Sequence, residues 1–185
     1  PVREIRCAPG AQREHVYFPM NSFLSRIAAV AGGASLEVGL IGNEGLLRIP
    51  LVLGVDTSPL RVMVQGTGDA WRMTATQFQR ALVKHPLLRR ALDRYTHVLM
   101  TQLGQTAACT CFHILDARLA RWLLMTHDRA HADSFYLTHT LLSQMLGVRR
   151  SDVTTAAGVL QRSKLINYRR GASTLPDPPG LEKRA

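Results

Sequence analysis

The apolar residues change their period near Ala75, and that change constrains the fold more than any other feature of the chain. Between residues 15 and 78 they come in short runs: "HVYFP", "FLSRIAAVA", "SLEVGLI", "LRVMVQ" and "AWRMT". Gly32-Gly33, Gly42, Gly45, Gly54, Gly66 and Gly68 separate them. Short runs punctuated by glycine predict an antiparallel roll or barrel. The segment "NEGLLRIPLVLG" reads as a short helix or a buried turn inside it. From Ala75 onward the period is helical. "TATQFQRALVKHP" predicts a short helix ended by Pro86, and "LLRRALDRYTHVLMTQLGQTAACTC" predicts a long one with no internal proline. The fold class is therefore α+β, divided as a roll over residues 1–78, a helical linker over 79–112 and a second domain over 113–185.

Along the long helix Leu88, Leu92, Tyr95, Leu99, Gln102 and Thr106 follow one another at alternating steps of four and three, with Cys109 next in line. That spacing is the stripe of a helix packed along another helix, and it predicts a homodimer joined through those residues. A core within one chain would produce the first three positions equally well.

The second domain opens with the amphipathic "ILDARLARWLLMTHDRA", followed by a short strand "FYLTH" and a helix "THTLLSQML". Thr138 has the chemistry of that helix's N-cap, because its hydroxyl accepts from an otherwise unpaired backbone N–H. Gly147 breaks the helix, and another is expected over roughly 149–163. "LINYRRGASTL" then alternates around Gly171 as a two-stranded wing, and "PDPPGLEKRA" is a proline-rich tail that continues neither element.

Charge fits this layout. The chain carries 23 Lys and Arg against 13 Asp and Glu, a formal net charge of +10, which favours a polyanionic partner. Residues 149–170 hold Arg149, Arg150, Arg162, Lys164, Arg169 and Arg170 against Asp152 alone. Helix, glycine turn, helix and basic hairpin make a winged helix-turn-helix. With Val153, Ala156, Ala157 and Leu160 buried on one side, a period of about 3.6 residues leaves Arg149, Arg150, Ser151, Thr154 and Thr155 on the exposed front. An arginine at a helix start offers paired donors to guanine, and the Ser and Thr hydroxyls and a Thr methyl suit bases or phosphates. These five are the expected base contacts, with Arg150 first. Thr138, Lys164, Arg169 and Arg170 are the expected contacts to the DNA backbone, which add affinity without sequence information.

The stretch "LARWLLMTHDRAHADSFYLTHTLLSQMLGVRRSDVTTAAGVLQRSKLINYRRG" resembles the cyclic AMP receptor protein/Fnr superfamily of bacterial transcription regulators, and a looser likeness runs back to "HVYFP". The resemblance implies a jelly-roll effector domain like the cyclic-nucleotide-binding ones, a long dimerisation helix and a C-terminal winged helix-turn-helix. It implies a homodimeric regulator on an inverted repeat of double-stranded DNA, with RNA polymerase as a further partner if it activates. It also implies that residues ahead of the first strand are missing from this chain.

The departures are specific. Cyclic-nucleotide binders of the superfamily carry a Gly-Glu pair and an Arg-Ser/Thr-Ala run, where this chain reads "GLL" at 45–47 and "SPL" at 58–60. Without that arginine a cyclic phosphate loses its charge-assisted bidentate partner, which argues against cyclic AMP. Arg48 and Arg61 are the substitutes at hand for an effector pocket. An iron–sulfur cluster of the Fnr type needs more cysteines than Cys7 ahead of the long helix. Cys109 and Cys111 lie at the hinge between the long helix and the DNA-binding part, where a buried structural role for at least one thiol is the plainer reading than a redox or metal switch. No cofactor and no metal are expected.

Two other readings fit less well. A jelly-roll metal-dependent enzyme needs converging histidines and carboxylates in the roll, yet of seven histidines only His15 lies in the roll's strand region. "HDRAH" at 127–131 lacks the glutamate of a metalloprotease helix, and no G-x-S-x-G occurs, so an enzyme is not expected. A non-specific or single-strand nucleic-acid module would stack bases on exposed aromatics, and Trp71 and Trp122 both sit in apolar-periodic segments. Three cysteines are too few for a disulfide framework, no stretch approaches the roughly 20 apolar residues of a membrane span, and the polar start has no signal-peptide core. A cytoplasmic protein without a membrane partner is expected.

Overall fold

The computed structural model describes residues 14–66, 68–132, 134–169 and 172–185. Cys7, Arg170 and the Gly171 turn of the wing lie outside the described residues. The chain divides into two compact units. One holds the residues through Ala28 and Val38–Thr106, the other Ala29–Glu37 and Ala107–Ala185.

In the first unit β1 (His15–Pro19) pairs antiparallel with β5 (Ala70–Thr74). A second sheet has the order β3 (Ser35–Ile41), β2 (Phe23–Ala29), β4 (Arg61–Gly66), with β2 and β4 antiparallel. The roll is thus two separate small sheets, and no barrel closes among the described residues. The undecided segment is a 3-10 helix, Ile49–Leu53, with Pro50 in its first turn and Gly54 in the left-handed conformation at its end. Proline is tolerated there because the first-turn N–H groups have no helical partner.

Helix α1 (Ala75–Lys84) begins at a capping box. The Thr74 hydroxyl accepts from the Gln77 N–H, and the Gln77 side chain accepts from the Thr74 N–H. Helix α2 (Pro86–Phe112) starts on the proline that ends the segment before it. Leu92, Tyr95 and Leu99 are buried in the core of their own roll with Val16, Leu46, Ile49, Leu51, Val52 and Phe78, and Leu88 packs against that cluster. The Gln102 side chain accepts from the Leu40 N–H of β3 at 3.1 Å, and Thr106 is half-buried. Tyr95 lies so close to Gly45 that any Cβ there would overlap its ring. A four-three repeat reports that one face of a helix is covered and is silent on what covers it. An adjoining face of α2, one residue ahead of the stripe and about a quarter turn around the helix, is open: Leu87 is 81% and Val98 54% exposed, with Ala91, Arg94 and Thr101 also exposed.

The second unit consists of α3 (Leu115–Ala130), β6 (Ser134–Tyr136), α4 (His139–Leu146), α5 (Arg150–Arg162), β7 (Asn167–Arg169), β8 (Ala172–Thr174) and α6 (Pro178–Glu182). Its core joins Leu119, Trp122, Leu123, Leu142, Met145, Val153, Leu160 and Leu181. The wing has three strands rather than two, in the order β6-β8-β7, because the short strand ahead of α4 pairs with β8. The tail forms a helix of its own. The Asp177 side chain caps it by accepting from the Gly180 N–H at 3.0 Å, and its prolines occupy the first turn. The Arg184 guanidinium beyond it pairs with the buried Asp116 of α3.

The tip between β2 and β3 belongs to this unit. Ser35 Oγ donates to the Gln144 carbonyl at 3.0 Å, and the Trp122 indole N–H donates to Glu37 Oε1 at 2.9 Å.

Candidate nucleic-acid interface

Helix α4 is set at both ends by local chemistry. Thr138 Oγ1 accepts from the Leu141 N–H at 3.1 Å, which leaves the hydroxyl proton to donate outward. Gly147 sits at φ 65° and donates its N–H to the Ser143 carbonyl, a left-handed ending that an L side chain adopts only at a cost of about 1–2 kcal/mol. The Arg118 side chain of α3 donates to the Leu146 carbonyl, so the turn is tied to the helix behind it. Burial holds the Arg118 guanidinium below its usual range, with Cys109 nearby opposing that shift. Cys109 is buried and Cys111 exposed.

Two residues of turn lead from Gly147 to α5, whose N-cap is Arg149. Val153, Ala156, Ala157 and Leu160 face the core, so Arg149, Arg150, Ser151, Thr154 and Thr155 are all exposed. Neither arginine has an ion-pair partner among the described residues. Both guanidiniums present their donors to solvent at a helix start, where the backbone partial charge also favours an anion.

The hydroxyl groups are more committed than the arginines. Thr154 donates to the Arg150 carbonyl at 3.1 Å, Thr155 to the Ser151 carbonyl at 3.2 Å, and Ser151 to Asp152 Oδ1 at 3.2 Å. With their protons used within the helix, the two threonines offer lone pairs and methyl groups. Thr155 also borders a hollow lined by Leu115, Asp116, Asp152, Ala156 and Val159, on the α3 side of the helix.

Lys164 follows α5 at φ 60°, exposed, in the left-handed conformation that usually selects glycine. Arg169 ends β7, the strand of the wing beside β8. Arg170 lies outside the described residues.

One residue of this site escaped the sequence reading. His139 Nδ1 lies 2.9 Å from Thr154 Oγ1, and its ring stacks on Tyr168 of β7 with centroids 4.4 Å apart and planes at 22°. The Tyr168 hydroxyl donates to the Leu137 carbonyl at 2.8 Å. The only signal was a histidine directly after a capping threonine, and nothing local gives that a meaning.

In the first unit, a cavity is lined by Arg48 with Arg26, Ile41, Leu47 and Val62, and not by Arg61. Adjacent strand residues point to opposite faces, so Val62 inward leaves Arg61 outward and exposed. Arg48 is buried, and its Nη2 donates to the Asp56 carbonyl at 2.9 Å. Burial pulls the Arg26 guanidinium below its usual range, with Tyr95 opposing. Among the described residues no cluster of His, Cys, Asp and Glu is placed to hold a metal ion, and no helix is long and apolar enough to cross a membrane.

Residues 117–184 match the Crp-like helix-turn-helix domain. Solved structures resemble the whole chain at low identity. FixK2 from Bradyrhizobium japonicum is 14% identical over 98% of this chain and 92% of its own, with a TM-score of 0.79. A CRP-family transcriptional regulator from Thermus thermophilus is 17% identical over 98% and 96%, with a TM-score of 0.76. The c-di-GMP-responsive global regulator CLP of Xanthomonas campestris is 16% identical over 95% and 90%, again at 0.76. No curated protein sequence matches the chain.

Proposed function

We propose that the chain, whose residues 117–184 match the Crp-like helix-turn-helix domain, is a DNA-binding transcription regulator of the Crp/Fnr type, a homodimer that reads an inverted repeat in double-stranded DNA. The observation that carries this is the start of α5. Arg149 and Arg150 stand exposed and without ion-pair partners among the described residues, on a helix whose other face is fully buried. Arg150 reads a guanine, and Arg149, Ser151, Thr154 and Thr155 complete the base-edge contacts. Thr138, Lys164, Arg169 and Arg170 hold the DNA backbone.

The dimer forms through the open face of α2, where Leu87, Ala91, Arg94, Val98 and Thr101 follow the same four-three spacing as the buried stripe. Two recognition helices then engage half-sites about one helical turn, roughly 34 Å, apart. An effector in the roll cavity beside Arg26 and Arg48 acts only if it binds the DNA-competent arrangement more tightly than the other. The protein is a cytoplasmic regulator without enzymatic activity, and it engages RNA polymerase where it activates.

Competition tests the partner class. Labelled duplex DNA held by the protein should resist unlabelled single-stranded DNA or RNA at equal nucleotide concentration and yield to unlabelled duplex. Displacement by single strands contradicts the reading.

A further inference from the structure

His139 joins three elements of the interface. It stands in the first turn of α4, meets Thr154 on α5 through Nδ1 at 2.9 Å, and stacks on Tyr168 of β7. Tyr168 in turn donates to the carbonyl of Leu137, two residues before His139, at 2.8 Å. The contacts close a ring through helix, recognition helix and wing.

The tautomer turns on the Thr154 hydroxyl. With its one proton given to the Arg150 carbonyl at 3.1 Å, that hydroxyl accepts from His139, and Nδ1 is then the nitrogen that carries the proton. Nε2 is buried and has no hydrogen-bond partner among the described residues. A second proton there would be a buried donor with no acceptor. Among the described residues the groups that face the ring offer no compensation: Arg150 of α5 is a cation, and the phenol of Tyr168, itself influenced by Tyr136 of β6, donates to Leu137. Burial first, and Arg150 second, lower the affinity of His139 for a proton.

We propose that neutral His139 is a positioning residue that holds the recognition helix and the wing in one arrangement, so that protonating it weakens DNA binding although it contacts no DNA. The sign is diagnostic. A histidine gaining charge beside a polyanion ordinarily tightens binding, whereas opening this ring loosens it.

The inference rests on the DNA-binding reading, and the experiment separates the two. Duplex affinity is measured between about pH 5 and pH 8 for the wild type and for His139→Asn, whose amide N–H replaces Nδ1–H and does not titrate. His139→Ala and Thr154→Val serve as breaks in the ring, and nitrogen NMR of the free protein reports the imidazole tautomer. The wild type should weaken in acid relative to His139→Asn, and the Asn variant should match wild-type affinity at neutral pH. His139→Ala should bind up to about tenfold more weakly than wild type at neutral pH, the equivalent of one hydrogen bond, and the difference should shrink in acid as the wild type loses the same contact. The free protein should show the Nδ1–H tautomer whether or not DNA binds. If His139→Asn and wild type share one pH profile, or if the ring carries its proton on Nε2, the positioning role is wrong. If no variant binds duplex DNA while the tautomer is as expected, the DNA-binding reading fails and the ring stands.

Discussion

The indole N–H of Trp122 donates to Glu37 Oε1 at 2.9 Å, with Trp122 only 5% and Glu37 only 6% exposed. A carboxylate in the strand segment "SLEVGLI" is thereby fastened to the helix that backs the DNA-binding motif. Replacing Trp122 by Phe leaves the buried carboxylate one donor short, which costs about 1–3 kcal/mol. Denaturant unfolding followed by circular dichroism should register that loss. An unchanged midpoint would mean that water takes over the contact freely.

Arg150→Ala should cost about 1–3 kcal/mol at one base position and relax selectivity there. Binding of the preferred operator and its single-base variants provides the check. Arg169→Ala should instead weaken all sequences alike and make the salt dependence shallower.

Lys164 separates stability from binding. At φ 60° a lysine is strained where glycine is not, so Lys164→Gly should stabilise the fold by about 1 kcal/mol. The same change removes a cation assigned to the DNA backbone, so affinity should fall at every sequence. Thermal unfolding and binding are therefore expected to move in opposite directions.

The two faces of α2 should respond differently. Leu92→Ala opens a cavity in the roll core and costs about 2–5 kcal/mol of stability. Val98→Asp leaves that core intact and places charge on the open face, so sedimentation should show a folded monomer. A dimer that survived Val98→Asp would place the interface elsewhere.

What could be read from the sequence was what local chemistry decides. The Thr138 cap and the left-handed Gly147 depend on a few neighbouring residues, and both stand where expected. The third wing strand and α6 were missed for different reasons. β6 is three residues long and exists because β8 lies beside it, while Asp177 and two prolines start a helix that composition alone reads as a tail. The stripe from Leu88 to Thr106 gave the period of a covered helix face, and within the chain Leu92, Tyr95 and Leu99 pack into the roll core. His139 works through Thr154 and Tyr168, far along the chain, so no window around it could reveal the role. Glu37 did leave a trace: it shares a strand face with Ser35, Gly39 and Ile41, all buried, and a carboxylate in that register needs a donor.

The most direct measurement is selection of binding sites from a randomised pool of duplex DNA at fixed salt, followed by sequencing of the retained molecules. The account predicts an inverted repeat with half-sites about one helical turn apart, and a guanine in each that Arg150→Ala no longer requires. Tight retention without any sequence preference, lost steeply as salt rises, would contradict it and reduce the cationic start of α5 to an electrostatic patch.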